Sequence, residues 1–361
     1  MTNILHIALN FNQNSGITTY VSMLFRHFLQ KPKYKLHFIT NGGNAVDKLE
    51  SIGVHPAVIP MQTGIQNIFH LRSNLQFIKK YCKEHKIQII HTHHRYPEFV
   101  SSLIAKKYQL RTITTAHSLV HGQKMLSFKS DKIIAVSNTV RESITQRYGV
   151  DKTKIETMYN CIEEMPDFFT SDILSLRKTV GIPSQNKVIL YIGRFDTIKG
   201  TKYLIDAFER IRHDFNNITL LMVGDPHCFS QKTSNWENGC QQIILPPQIN
   251  GNQYFHLADL VVLPSLQDPF PYVMLEAGMA KKAFVGSKVD GIAEFIEDGK
   301  DGLLFNAGDV KKLIECIVEL LNNPITPDFL GNNLYQKVKS LPTCEQYCDK
   351  LGEIYQNLLN S

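Results

Sequence analysis

Nowhere in its 361 residues does this chain carry a run approaching the ~18 uninterrupted apolar residues that a membrane-spanning helix needs. It opens on strand-like material, ILHIALN, without the basic start and apolar core of a secretion signal. Its seven cysteines are an odd number with no CxxC pair, and the nearest two, Cys344 and Cys348, stand at helical spacing. That scatter argues against a disulfide framework or a thiolate metal site and fits a reduced, cytoplasmic setting. Neither Gly16 nor Gly193 belongs to a G-x-G-x-x-G turn, which weakens a dinucleotide-dependent oxidoreductase. Helix-turn-helix, zinc-finger and aromatic RNA-binding signatures are missing too, so a net charge of +6 does not point to nucleic acid. Internal repeats and low-complexity tracts are likewise absent.

What the chain does have is alternation. Strand-like runs at 4–9, 34–40, 56–60, 87–93, 111–116 and 132–137 are separated by helical patterns. The rhythm recurs at 187–192, 218–223, 241–245, 259–264, 283–286 and 302–305. Strands spaced by helices imply parallel sheets covered on both faces, an α/β architecture. A break at 161–185 reads as a linker. The expected domains are 1–165, 166–340 and a final helix within 341–361, around 344–358.

Two stretches carry chemistry. Residues 259–280 read DLVVLPSLQDPFPYVMLEAGMA: an apolar strand, a loop holding Asp268, then a helix beginning near Phe270 with Glu276 on its second turn. A helix N-terminus offers free N–H groups and partial positive charge to a phosphate. A carboxylate further in can accept hydrogen bonds from paired ribose hydroxyls. The plainer alternative is an ordinary strand-to-helix unit with two solvated acids. Residues 187–200, KVILYIGRFDTIKG, run from a buried-type strand into a loop with Gly193, Arg194, Lys199 and Gly200, and a helix follows. Loops at the carboxyl ends of strands are where open α/β sheets bind ligands. Arg supplies a planar fork for phosphate oxygens and Lys a mobile point charge. Either cation alone would read as a surface charge.

GRFDTIKG, LPSLQDPFPYVMLEAGMA and VDGIAEFIEDGKDGLLF resemble, in that order and spacing, the retaining GT-B glycosyltransferases of family four, glycosyl transferases group 1. SGITTYVSMLFRHFL, IIHTHH, TITTAHS, DKIIAVSNTVRESI and KIETMYNCIEE extend the resemblance through the N-terminal half. It implies two Rossmann-like doubly wound domains facing across a cleft, with the final helix packed on the N-terminal one. It also implies roles. Arg194 and Lys199 would hold the donor diphosphate, Glu276 the ribose, and Asp268 the transferred sugar. Gly16 would approach the phosphates or the sugar, and His117 would lie near the sugar's reacting face. Phe270, Tyr272 and Val273 would offer backbone amides beside Gly193.

This chain departs from the pattern at three places. Asp268 stands where Glu is usual and reaches one methylene less. Pro269 and Pro271 each remove an N–H from the anion site. Asn160-Cys161 replaces an Asn-Gly turn. A metal at His91, His93 and His94 is set aside, because no carboxylate or thiol partner stands nearby to complete it.

Charge is uneven. Residues 1–165 hold 21 Lys and Arg against 10 Asp and Glu, a balance of +11, and the remainder holds 18 against 23, or −5. Part of the excess lies in 71–86, where Leu71, Leu75, Ile78 and Cys82 form a helical stripe flanked by Arg72, Lys79, Lys80, Lys83 and Lys86. More lies in 121–132, where Met125, Leu126 and Phe128 interleave with Lys124, Lys129 and Lys132. Such faces are either simply solvated or dock on an anionic membrane, where a lipid-linked acceptor is met. The expectation is a cytoplasmic, peripheral inner-membrane glycosyltransferase using a nucleoside diphosphate sugar, without cofactor or divalent metal. Its products would be cell-surface polysaccharide or glycolipid on a lipid-linked or glycan acceptor. The alternative is a non-catalytic GT-B-fold partner subunit.

Overall fold

The alternating runs become two parallel sheets, each sandwiched by helices. The computed structural model describes residues 1–13, 15–61, 67–122, 124–166, 169–224, 233–235, 238–246, 251–323 and 325–360. The chain divides into Met1–Cys161 with Pro342–Ser361, and Ile162–Leu341.

The first unit runs β1 (Thr2–Ile7), α1 (Gly16–Leu29), β2 (Tyr34–Thr40), α2 (Val46–Glu50), β3 (Ala57–Val58), α3 (Asn67–Glu84) and β4 (Ile89–Thr92). It continues with α4 (Arg95–Tyr108), β5 (Arg111–Ala116), β6 (Lys132–Ala135), α5 (Asn138–Tyr148) and β7 (Ile155–Thr157). The second unit holds α6 (Thr170–Val180), β8 (Lys187–Ile192), α7 (Thr201–Asp214), β9 (Ile218–Val223), β10 (Thr233–Asn235), β11 (Gln241–Leu245) and α8 (Gln253–Leu257). After these come β12 (Leu260–Leu263), α9 (Tyr272–Met279), β13 (Ala283–Ser287), α10 (Asp290–Phe295), β14 (Leu303–Phe305), α11 (Val310–Asn322) and α12 (Ile325–Lys339). The chain then returns to the first unit as α13 (Cys344–Asn360).

The sheet orders are β3-β2-β1-β4-β5-β6-β7 and β10-β11-β9-β8-β12-β13-β14. Every pairing is parallel except β10 with β11 at one edge. Strands covered on both faces need apolar side chains in succession. ITLLMV in β9 and LVVL in β12 are buried at every position. In α3 the stripe behaves as expected: Ile78 and Cys82 are buried and Leu71 and Leu75 pack against the same core. Helix α13 is tied in by its tyrosines. Tyr347 Oη lies 2.9 Å from Tyr20 Oη of α1, and Tyr355 Oη lies 2.6 Å from His91 Nδ1 of β4.

Three expectations need correction. The 161–185 linker contains α6, whose TSDILSLRKTV buries no residue fully, so its apolar periodicity is weak. The short strands β7 (IET) and β10 (TSN) lack the apolar run that marks the other strands. Phe128 is not an exposed partner of the flanking lysines. It is 7% exposed and packs edge-on against Tyr148, at 4.8 Å between ring centroids. Leu126, Lys124 and Lys129 are exposed; the Met125 side chain lies outside the described residues.

Phe128 sits inward because α4 clamps this segment. Glu98, only 1% exposed, accepts the amides of Phe128, Lys129 and Ser130. Arg95 donates to Ser127 and to the carbonyls of His121 and Gly122. Replacing Glu98 with Ala strands those amides, each orphaned buried donor costing roughly 1–3 kcal/mol. Glu98→Ala is therefore expected to strip hydrogen-exchange protection from 128–130 and destabilise the first unit by about 3 kcal/mol. Glu98→Gln, which keeps an acceptor, should retain part of the protection in the same exchange measurement.

Candidate functional site

In the second sheet the strand order reverses between β8 and β12, which pair directly through Ile189–Leu260 and Leu190–Val261. The crevice at the carboxyl ends of such strands is the ligand-binding position of doubly wound sheets. Both chemical stretches found in the sequence open there, 193–200 after β8 and 264–271 after β12. Their backbones touch, with the Leu266 amide donating to the Ile198 carbonyl at 2.7 Å. At Gly200, φ is +67° and a Cβ would stand 1.9 Å from the Pro264 carbonyl oxygen, so only glycine allows this approach.

Charge concentrates at the junction. Lys199 Nζ donates to Asp268 Oδ2 at 2.6 Å, and Ser265 Oγ donates to the same oxygen at 3.1 Å. Asp268 is 4% exposed, so its carboxylate requires these partners. Its amide donates to Asp290 Oδ2 at 2.8 Å, and its carbonyl accepts the Gly291 amide. Asp290 holds that position at φ +41°, a left-handed conformation uncommon for a residue other than glycine. Across the loop, Arg194 Nη2 pairs with Asp196 Oδ2 at 3.1 Å while the Lys199 amide donates to Asp196 Oδ1. Asp196 thus holds the Arg194 guanidinium and the Lys199 backbone. Tyr191 Oη donates to the Arg194 carbonyl at 2.6 Å, and a Cβ at Gly193 would crowd that hydroxyl at 2.9 Å.

The helix after β12 starts later than the sequence suggests. Pro271 is its N-cap and Tyr272 its first residue. A residue preceding proline is pushed out of helical conformation. Phe270 therefore lies outside the helix, 3% exposed and packed edge-on against Phe295. Tyr272 and Val273 open the first turn, where amides point outward. Glu276 follows on the second turn, its carboxyl without a hydrogen-bond or ion-pair partner among the described residues. Burial of its carboxyl raises its pKa from 4.5 to about 7.

The candidate residues of the first unit sit at its own strand ends. Gly16 is the exposed first residue of α1. His117 follows β5, its Nε2 3.2 Å from His93 Nδ1, with Tyr20 of α1 edge-on at 4.8 Å between centroids. Of the three histidines weighed for a metal, His94 turns aside to accept the Leu9 amide. Its place is taken by His6 of β1: His6, His91 and His93 present nitrogens within 4.8 Å of one another. Yet both nitrogens of His91 are engaged, by Tyr355 and Thr115, and His93 bonds to imidazoles on either side. Burial lowers the pKa of His6 and of His117 to about 3.

Asp196, Ser265, Asp290 and His6 were not singled out from sequence. Asp196, Ser265 and Asp290 lie inside the quoted motifs, and His6 is the one polar residue in the run ILHIAL.

Comparison with known proteins follows the same division. A family model described as Glycosyltransferase Family 4 matches residues 14–164, and one described as Glycosyl transferases group 1 matches residues 186–323. The chain is 25% identical over 345 residues to N-acetyl-alpha-D-glucosaminyl L-malate synthase of Bacillus anthracis, covering 90% of each. It is 24% identical over 362 residues to the capsular polysaccharide biosynthesis glycosyltransferase CapM of Staphylococcus aureus, covering 92% of each. Among solved structures, Anabaena Alr3699/HepE in complex with UDP-glucose superposes with a TM-score of 0.81 at 16% identity, covering 99% of this chain and all of that one (100%).

Glu276 yields a pH test. Its folded-state pKa is raised, so ionising it costs the folded protein stability as pH climbs from 4.5 through about 7. Glu276→Gln removes that cost. In thermal-melt series the variant should exceed the parent in Tm at pH 8 and lose the advantage near pH 4.5. An advantage independent of pH would contradict the assignment.

Proposed function

Because the chain belongs to glycosyltransferase family four and is a transferase of GT-B fold, we propose that it moves a sugar, with retention of configuration, from a nucleoside diphosphate donor to an acceptor hydroxyl. The observation that carries this reading is the pair of facing loops at the β8–β12 reversal. Arg194 and Lys199 are held at these loops by ion pairs with Asp196 and Asp268, and α9 opens at Tyr272, four residues past Asp268. A diphosphate leaving group gains negative charge as the sugar departs, and preorganised cations stabilise that charge most in the transition state. These two side chains take the electrostatic role a divalent ion plays elsewhere, so the proposal includes no metal and no cofactor.

Glu276, unpartnered and desolvated, accepts the ribose hydroxyls. Asp268 presents Lys199 through Oδ2, which Ser265 also meets, and its other oxygen, Oδ1, is left to contact the transferred sugar. In the first unit, His117 is proposed for the reacting face of a sugar and the Gly16 backbone for phosphate or sugar oxygens. The UDP-glucose bound to the Anabaena neighbour supports the donor class. CapM supports an acceptor in cell-surface glycan synthesis. A non-catalytic subunit has no observation in its favour, since both cations and Glu276 are retained.

Among the described residues no helix is long and apolar enough to cross a membrane. A lipid-linked acceptor would be met at a cytoplasmic membrane face through α3, where Arg72, Lys79, Lys80 and Lys83 are exposed beside exposed Phe69 and Phe77. Each such cation contributes about 1 kcal/mol on an anionic surface.

Two measurements test the reading. Lys199→Ala should lower sugar transfer by about 10²–10³-fold with the circular dichroism spectrum unchanged; near-normal turnover would overturn the diphosphate role. Lys79→Gln, Lys80→Gln and Lys83→Gln combined should weaken sedimentation with phosphatidylserine vesicles by about 3 kcal/mol, some two orders of magnitude. Binding to neutral vesicles should not change; equal binding by parent and variant would remove α3 as the docking face.

A further inference from the structure

Three imidazoles from three neighbouring strands stand in file at the carboxyl end of the first sheet. His6 lies on β1, His93 just past β4 and His117 just past β5, and these strands are adjacent in the order β1-β4-β5. His6 Nδ1 is 3.2 Å from His93 Nε2, and His93 Nδ1 is 3.2 Å from His117 Nε2. His6 and His93 are 0% and 2% exposed, and the His6 and His93 rings stack at 5.5 Å between centroids. His93 is held in this line by its own backbone, which continues the ladder through a 3.0 Å bond to the Ile7 carbonyl. His91 stands beside the file, locked by Tyr355 and Thr115.

A neutral imidazole has one N–H and one lone pair. Two successive N···N contacts are satisfied only when donor and acceptor alternate along the file, which leaves two arrangements. In one, every proton sits on Nε2, and His6 Nε2 becomes a buried N–H. In the other, every proton sits on Nδ1, and His6 Nε2 is a buried lone pair. That atom has no hydrogen-bond partner among the described residues. An orphaned buried N–H is the rarer and costlier of the two. The second arrangement follows: His6 Nδ1–H donates to His93, His93 Nδ1–H donates to His117 Nε2, and His117 keeps its proton on Nδ1. That nitrogen has no partner among the described residues and lies on the partly exposed residue at the end of the file.

The geometry points to His6 and His93 as positioning residues that fix His117 as an Nδ1–H donor to an oxygen of a sugar bound at this end of the first sheet. This assignment rests on the transferase reading for its purpose, but the tautomer itself does not. A metal held by His6, His91 and His93 is the competing use of the cluster. It would place two positive charges among three buried neutral ligands, with no carboxylate in the group.

The test uses the full chain labelled with 15N-histidine. Two-bond 1H–15N correlation spectra should report His117 as the Nδ1–H tautomer in the parent. In His93→Leu it should revert to Nε2–H or a mixture, and His93→Asn, which restores an N–H at the Nδ1 position, should return it. With whichever of UDP-glucose, UDP-N-acetylglucosamine and GDP-mannose the protein hydrolyses, His93→Leu should lower kcat by about 10–100-fold. KM should shift by less than about threefold, and His93→Asn should recover part of the rate. His6→Leu, which frees only the far end, should show a smaller loss of the same kind and keeps the test open should His93→Leu fail to fold. An Nε2–H His117 in the parent overturns the proposal. So does an unchanged kcat in folded His93→Leu, and so does stoichiometric metal by elemental analysis with metal-shifted His6 and His93 resonances. If none of the three nucleotide sugars is turned over while the tautomer behaves as described, the transferase reading fails and the tautomer assignment stands.

Discussion

The arrangement at the β8–β12 reversal hangs on one buried carboxylate. Asp268 is all but sealed from water, and an ion in that position demands partners. Lys199 and Ser265 meet the demand from two loops, and Asp290 with Gly291 anchors the backbone from the start of α10. Holding Lys199 draws the loop after β8 onto the loop after β12, and the glycine at 200 lets the two backbones meet. The same contact fixes the position of the cation that we propose for the donor phosphate. A Glu here would reach further into the crevice. The shorter Asp side chain is instead retracted onto Lys199, so this chain ties the position of its cation more tightly to the position of its acid.

Charge is used differently in the two units. The second unit's strand ends carry fixed ions, Arg194, Lys199 and Asp196, suited to a ligand whose charge is permanent and grows during reaction. The first unit's strand ends carry imidazoles whose burial holds them neutral, together with tyrosine and threonine hydroxyls. Such groups offer directed dipoles without net charge, which suits the uncharged hydroxyls of a sugar. Each surface therefore has the electrostatic character its proposed ligand portion requires.

Function also leaves marks of strain. Glu276 sits desolvated and unpartnered, a state the fold holds at a cost, and Asp290 adopts a left-handed backbone to reach the Asp268 amide. Local conflicts of this kind gather where a ligand completes the environment. They are also the positions at which propensity and periodicity have least to say.

Much was legible in the order of residues. Parallel doubly wound sheets followed from apolar runs spaced by helices. Gly193, Arg194, Lys199 and Asp268 could be picked out because each lies in a loop that follows a strand end, and Glu276 because it stands on the second turn of the helix after β12. Where the local pattern was weak the reading slipped: α6 has no buried stripe, and Pro271 delays α9 past Phe270. What sequence alone determined is which residues stand at strand ends, because hydrophobic periodicity is a local property. Only the tertiary structure decided who meets whom: Lys199 with an acid 69 positions away, His6 with a histidine 87 positions on, Phe128 turned inward by Glu98. Those contacts are set by strand order and by the need to satisfy buried polar groups, and neither is written in the spacing of neighbouring residues.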